Sequence, residues 1–276
     1  IMCKHEKQGI DSLLNIMERL RDPEHGCEWD KAQTPESISP YTLEEAYEVY
    51  DAVEKGDAAQ LKEELGDLLL HVVFYAQMAK ERGLFDFQDV VDGICAKMIH
   101  RHPHIFGNAA KRPDWEQLKA DERRVHHQSG VLSGIANALP QTIRAFKLQS
   151  RAARVGFDWA APLLIIDKIY EEVNELKAEI VQPTHERERL DEMGDVLFVC
   201  VNLARKLQIN PEQALKHANA KFERRFGHIE KRLNEAGKPF EKTTLSEMED
   251  LWVEAKKIEK AAKTEHPAPE SPQKAS

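Results

Sequence analysis

Two pairs of acidic residues spaced three apart, Glu172/Glu175 and Glu192/Asp195, are the side chains best placed for chemistry. They lie in Tyr170-Glu171-Glu172-Val173-Asn174-Glu175 and, about one helix later, in Glu192-Met193-Gly194-Asp195. A near copy comes earlier, as Leu43-Glu44-Glu45-Ala46-Tyr47-Glu48 and Glu64-Leu65-Gly66-Asp67. Residues three apart share a helix face, so each copy offers four carboxylates from two helices. Like charges gathered so closely need cations. A hard cation such as Mg²⁺ prefers oxygen ligands, and Mn²⁺ is a substitute. The doubled pattern points to a metal-phosphate enzyme with an internal repeat.

Basic residues follow the acids. Lys221 and Arg225 stand four apart on one helix face and suit phosphate oxygens that a metal does not reach. Lys168, one turn before Glu172, is a further basic candidate, as are Arg189 and Arg224. Trp252 either stacks on a base or fills core. Bland readings exist for each. The acids can be a solvated face, and the basic residues an exposed one. Thr42-x-x-Glu45 also fits a helix capping box. Gly66 and Gly194 recur at one place in both copies and suggest close helix approach beside the carboxylates, against the alternative of a tolerated packing glycine. What counts against the bland readings is that glycines and basic pairs repeat in register. Lys97 and Arg101 answer Lys221 and Arg225, and Trp115-x-x-x-Lys119 answers Trp252-x-x-x-Lys256. Glu45, Glu48, Glu64, Asp67, Lys97 and Arg101 thus form a possible second site.

Apolar periodicity predicts helices over 12–21, 42–53, 59–80, 87–101 and 115–124, then 165–180, 188–207, 211–236 and 245–262. Pro40 is expected just before the second of these, and Gly26–Asp30 as a loop. Stripes such as Leu61, Leu65, Leu68 and Val72, or Leu190, Met193, Leu197 and Ala204, read as packing seams with the acids at their edges. No alternating strand pattern of note appears, so the fold class is all-α. Helices that are apolar on half their circumference need partners, within the chain or between chains. The expected organisation is a first repeat over 1–125, a linker over 126–140, a second repeat over 141–262 and a disordered Pro-containing tail over 263–276.

Composition narrows the functions. With 276 residues and a net charge of −9, the chain lacks the basic excess of a nucleic-acid binder. No apolar run is long enough to span a membrane and no signal peptide is visible, so a cytoplasmic protein is expected. The cysteines, four in number, have no C-x-x-C spacing and read as reduced, buried or half-buried thiols. His100, His102 and His104 straddle Pro103 and read as a loop rather than a metal site. No histidine follows a glutamate by three, which excludes a ferritin-like di-iron pattern, and no P-loop motif is present.

These motifs resemble the MazG family of nucleoside triphosphate pyrophosphohydrolases in its two-repeat form, from about Leu13 to Lys260. The most specific parts are the run from Leu20-Arg21-Asp22-Pro23 through Gly26-Cys27-Glu28-Trp29-Asp30 to Thr34, the two acidic sets, and Lys221-Phe222-Glu223-Arg224-Arg225-Phe226. Glu28 stands where the family usually has Pro. The resemblance implies tandem helical-bundle domains with dimeric four-helix-type packing, Mg²⁺ dependence and a homodimer. It also implies hydrolysis of ribo- and deoxynucleoside triphosphates to monophosphate and diphosphate, a nucleotide-pool house-cleaning activity. Glu172, Glu175, Glu192 and Asp195 would hold metal. Attack on the α-phosphorus is implied by the resemblance alone, with Glu171 or Glu175 orienting or deprotonating the water. The family generally assigns activity to the second repeat. The sequence itself does not choose between halves, and its clearest local difference is His71 where the second copy has Val199. The rival reading is a non-catalytic nucleotide sensor whose first repeat serves regulation or dimerisation.

Overall fold

In a computed structural model of the chain, the described residues are 9–108, 130–182 and 184–265. Cys3, the expected helix 115–124 with Trp115 and Lys119, and the chain beyond Glu265 lie outside them. The chain divides into two compact units, Ile1–Glu122 and Arg123–Ser276. Every regular element among the described residues is a helix.

The first unit comprises α1 (Ile10–Leu20), α2 (Glu28–Ala32), α3 (Pro35–Lys55), α4 (Ala58–Glu81), α5 (Phe87–Arg101) and α6 (Pro103–Phe106). Helix α3 begins earlier than periodicity predicts. Its cap is Thr34, whose side chain accepts from the Ser37 amide in a capping box, with Pro35 in the first turn. Thr42 is therefore interior, and the Thr42–Glu45 capping box does not form. Its hydroxyl instead meets Tyr75 Oη at 2.8 Å. Pro40 lies inside the helix. It removes the amide that would reach the Glu36 carbonyl, and Ser39 Oγ donates to that carbonyl at 3.0 Å. Gly56 closes α3 at φ 68, a left-handed conformation that favours glycine, and Asp57 caps α4. This tight connection folds α3 and α4 into a helical hairpin.

The expected seam of α4 is not its buried face. Leu65 and Val72 are exposed, whereas Val73, Phe74 and Met78 pack with Met17 and Ile38. Only the C-terminal part of α4 is covered by α1. The loop expected at Gly26–Asp30 contains the short α2, and Arg21 pins it. Arg21 Nε and Nη2 donate to Glu81 at 2.8 and 2.7 Å, and Nη1 donates to the Asp30 carbonyl at 2.5 Å. Gly26 is required here, because a Cβ would stand 2.5 Å from the Leu20 and Asp22 carbonyls.

The second unit holds α7 (Gln141–Arg154), α8 (Pro162–Ile180), α9 (Glu186–Lys206), α10 (Pro211–Glu235), a short 3₁₀ turn (Phe240–Lys242) and α11 (Leu245–Glu265). Periodicity missed α7, whose many polar residues blur the stripe. Its buried Gln149 donates to the Phe198 carbonyl of α9 at 2.8 Å. The α7–α8 loop is tied down by Asp158, which accepts from Arg205 and Lys206. Burial would raise that carboxyl, but the two donors outweigh it and hold it below its ordinary value. The buried face of α9 is Val199, Val201 and Asn202. The predicted seam residues Leu190, Met193 and Leu197 are exposed. The cysteines differ from expectation as well, since Cys27, Cys95 and Cys200 are all exposed.

Neither Gly66 nor Gly194 marks a close helix approach, because a Cβ at either would meet nothing within 4 Å. Gly194→Ala should therefore stabilise the protein by up to about 1 kcal/mol through helix propensity. Urea denaturation measures this. Destabilisation would show that another surface packs on that glycine.

Candidate metal and phosphate site

Helices α8 and α9 carry the second-repeat acids at facing positions. Glu172, only 6% exposed, points into the α8–α9 hairpin. Glu172, Glu192 and Asp195 each offer an oxygen, all within 4.8 Å of one another. Glu175 joins them through a hydrogen bond with Glu172. Its carboxyl is raised first by burial, then by that bond and by the Glu172 charge. Glu192 is raised by burial and by the charges of Asp195 and Glu172. The cluster therefore holds more negative charge than its surroundings offset. Its donors are all carboxylate oxygens, the set that suits a hard divalent cation.

One cation is built in. Lys168 Nζ lies 2.7 Å from Glu171 and 2.7 Å from Glu172. These hydrogen bonds push its ammonium well above its ordinary value. The reading of Lys168 as a phosphate group donor did not foresee this pairing, although its spacing of three and four from the two acids was visible in the sequence.

The first repeat gathers a related trio in which Glu48 stands in place of Asp67, the counterpart of Asp195. Glu45, Glu48 and Glu64 offer oxygens within 4.8 Å of one another. Glu45 is raised by burial, then by Asp67, Glu48 and Glu64. Gln60 donates to Glu64 at 3.2 Å. Two further differences separate the copies. Tyr41, exposed, stands four before Glu45, where Lys168 stands four before Glu172. His71, buried, has no hydrogen-bond partner for Nδ1 among the described residues, and burial lowers its proton affinity.

The basic candidates gather elsewhere in the second unit, on α10 and α11. Arg225 Nε donates to Glu259 at 2.8 Å, and Arg224 Nε to the other oxygen of Glu259 at 3.3 Å. The Arg225 guanidinium lies 5.4 Å over the Trp252 ring, and Phe222 packs 5.4 Å from that ring. Trp252 is half-buried, so it is neither pure core nor a free platform. Lys221 is exposed and has no ion-pair partner among the described residues. Arg189 donates to the Gln182 carbonyl at 2.7 Å and so braces the α8–α9 loop. No hydrogen bond or ion pair among the described residues joins the basic-aromatic group to the carboxylates. Sequence reasoning missed Glu259. In the first repeat, Lys97 and Arg101 lie on α5, as the repeat requires.

Comparison with known proteins agrees with this doubled arrangement. The model of the MazG nucleotide pyrophosphohydrolase domain matches twice, at residues 33–106 and 161–229. Both matches contain a complete acidic set. A nucleoside triphosphate pyrophosphohydrolase of Escherichia coli K12 is 48% identical over 257 residues, covering 91% of this chain and 98% of the relative. The nucleoside triphosphate pyrophosphohydrolase/pyrophosphatase MazG of Thermotoga maritima is 42% identical over 249 residues, covering 90% of this chain and 95% of its own. A Bacillus subtilis protein, YabN, is 40% identical over 257 residues, which is 91% of this chain but 52% of YabN. With carboxylates converging twice and the domain matching at both places, the chain belongs to the MazG nucleotide pyrophosphohydrolase family.

Proposed function

We propose that the second repeat uses Mg²⁺, held by Glu172, Glu175, Glu192 and Asp195, to hydrolyse ribo- and deoxynucleoside triphosphates to monophosphate and diphosphate. The chain is a nucleoside triphosphate pyrophosphohydrolase, as its relatives are named. The observation that carries the site assignment is the convergence of three carboxylates within 4.8 Å from two helices. When bound, the divalent ion offsets triphosphate charge and polarises the phosphoryl group.

The chain's own groups supply the rest. Lys168 holds Glu172 in place and leaves the other acids to face the ion. Glu171 is already paired to that lysine at 2.7 Å. Glu175 makes no ion pair with that lysine among the described residues and is left as the acceptor for a proton from the attacking water. Lys221, Arg224 and Arg225 offer charge for the phosphate chain of the bound nucleotide, and Trp252 with Phe222 offers an aromatic face for the base. The first repeat has Tyr41 in place of the lysine. That difference favours the second repeat as the seat of turnover.

The unit is completed by a second copy of the chain. On α8 and α9, Leu163, Tyr170, Leu190 and Leu197 lie open, with Leu190 71% and Leu197 60% exposed. An apolar face of this extent on a two-helix layer calls for another layer. A homodimer that pairs such layers yields four-helix packing around the acids. No helix among the described residues is long and apolar enough to cross a membrane, so the face is not a membrane span.

Incubation of ATP with protein and Mg²⁺ should yield AMP and diphosphate. Glu172→Gln or Glu192→Gln should each lower turnover by at least about 100-fold, and Glu45→Gln should leave most of it. ADP and phosphate as first products would overturn the reaction assignment. Nucleotide binding without turnover would favour the sensor reading. Stability gives a second test. Folded Glu175 and Glu192 are raised above their ordinary 4.5, so the stability they contribute is present below that value. It is lost as pH rises through their folded values. Without divalent ions, melting temperature should fall across that window, and Mg²⁺ should raise it much more at pH 7.5 than at pH 5. An equal rise at both would place the ion elsewhere. For the dimer, Leu197→Asp should shift the sedimentation coefficient to that of a single chain, and an unchanged value would remove α9 from the interface.

A further inference from the structure

We propose that Glu259 is a positioning residue for nucleotide binding, holding Arg225 and Arg224 by their inner N–H groups so that the outer guanidinium edges are left for phosphate oxygens. The inference rests on the reading that Arg225 and Trp252 meet the nucleotide, and it adds the residue that arranges them.

The bonding pattern carries it. A guanidinium has five N–H donors, and a carboxylate that only secures the fold commonly takes two of them side by side. Arg21 shows this form in the same chain. It gives Nε and Nη2 to Glu81, and Nη1 to backbone carbonyls of Asp30 and Gln33. Arg225 differs. It gives only Nε, at 2.8 Å, and Arg224 gives only Nε to the other oxygen, at 3.3 Å. The Nη groups of both arginines make no hydrogen bond among the described residues. One carboxylate thus fixes two arginines from the inside and spends none of their terminal donors. Side-chain exposure is 17% for Arg225 and 24% for Glu259, so the bond is shielded more than an ordinary surface pair. Trp252 sets the other side, with the Arg225 guanidinium 5.4 Å over its ring. The aromatic wall, the fixed arginine and Lys221 one turn earlier, which has no ion-pair partner among the described residues, suit a ligand that joins a flat ring to a chain of phosphates.

The sequence repeats this element. Glu259 stands seven residues after Trp252, and Glu122 stands seven after Trp115. The basic pair that Glu259 serves, Lys221-x-x-x-Arg225, has its counterpart in Lys97-x-x-x-Arg101. The Trp-to-Glu spacing is thus the same in both halves, while the chain between the basic pair and the tryptophan differs, 14 residues from Arg101 to Trp115 and 27 from Arg225 to Trp252.

Glu259→Gln keeps the shape and removes the charge that fixes both arginines. In the full-length protein it should raise KM for ATP about 5- to 10-fold and leave kcat within about twofold, the signature of lost uniform binding. Calorimetric binding of α,β-methylene-ATP should weaken by the same factor. Added to the double variant Arg224→Ala/Arg225→Ala, the substitution should cost nothing further. An unchanged or lowered KM in Glu259→Gln, beside a raised KM in Arg225→Ala, would overturn the proposal and leave the site reading intact. In that case Glu259 merely repels phosphate or braces α11. An unchanged KM in Arg225→Ala would sink the site reading itself, and the inference with it. Glu259→Asp gives a second reading should the amide variant fold poorly. Its KM should also rise, because the shorter chain cannot hold both arginines, and a KM equal to that of the parent protein would overturn the proposal.

Discussion

Repulsion among carboxylates is the constraint on which the rest depends. Packing α8 against α9 brings Glu172, Glu192 and Asp195 within 4.8 Å, with Glu175 bonded to Glu172. Helices do not gather such groups for stability, since two of them are raised, first by loss of water and then by the charges of their neighbours. The surrounding structure must hold them there. It does so from the far end of the hairpin, where Val199, Val201 and Asn202 are buried and Gln149 of α7 bonds to α9. The acid end is left thinly packed and open. The same division of one helix pair, a packed half and an acidic half, recurs in α3 and α4. There the core of Met17, Ile38, Val73, Phe74 and Met78 sits under α1, while Glu45, Glu48 and Glu64 lie beyond it.

That division explains what the sequence could and could not reveal. Helix existence was legible because apolar spacing persists along α4, α9 and α10 whether a face is buried in this chain or not. Which face is buried was not legible. Leu190, Met193 and Leu197 have the spacing of a seam, yet they are exposed, because periodicity records a need for burial and not the partner that meets it. The start of α3 was misjudged for a different reason. Pro40 reads as a breaker, and only the Ser39 hydroxyl on the Glu36 carbonyl shows how the helix passes through it.

The acids were the most legible part of the site, since a spacing of three on a helix fixes a shared side and the repeat doubled the signal. Lys168 was visible as a basic residue one turn away, but its grip on Glu171 and Glu172 needed coordinates. Glu259 was invisible for a plainer reason. One more glutamate in an acidic chain carries no mark until its two oxygens are seen on two arginines.

The exchange of Tyr41 for Lys168 makes the duplicated hairpins electrostatically unequal. One carries a tethered ammonium that neutralises part of its own charge at rest. Among the described residues the clustered acids of the other make no ion pair, and Glu64 accepts only from the neutral Gln60 amide. Two copies of one helical pattern thus rest at different local charge, and added salt screens the halves by different amounts.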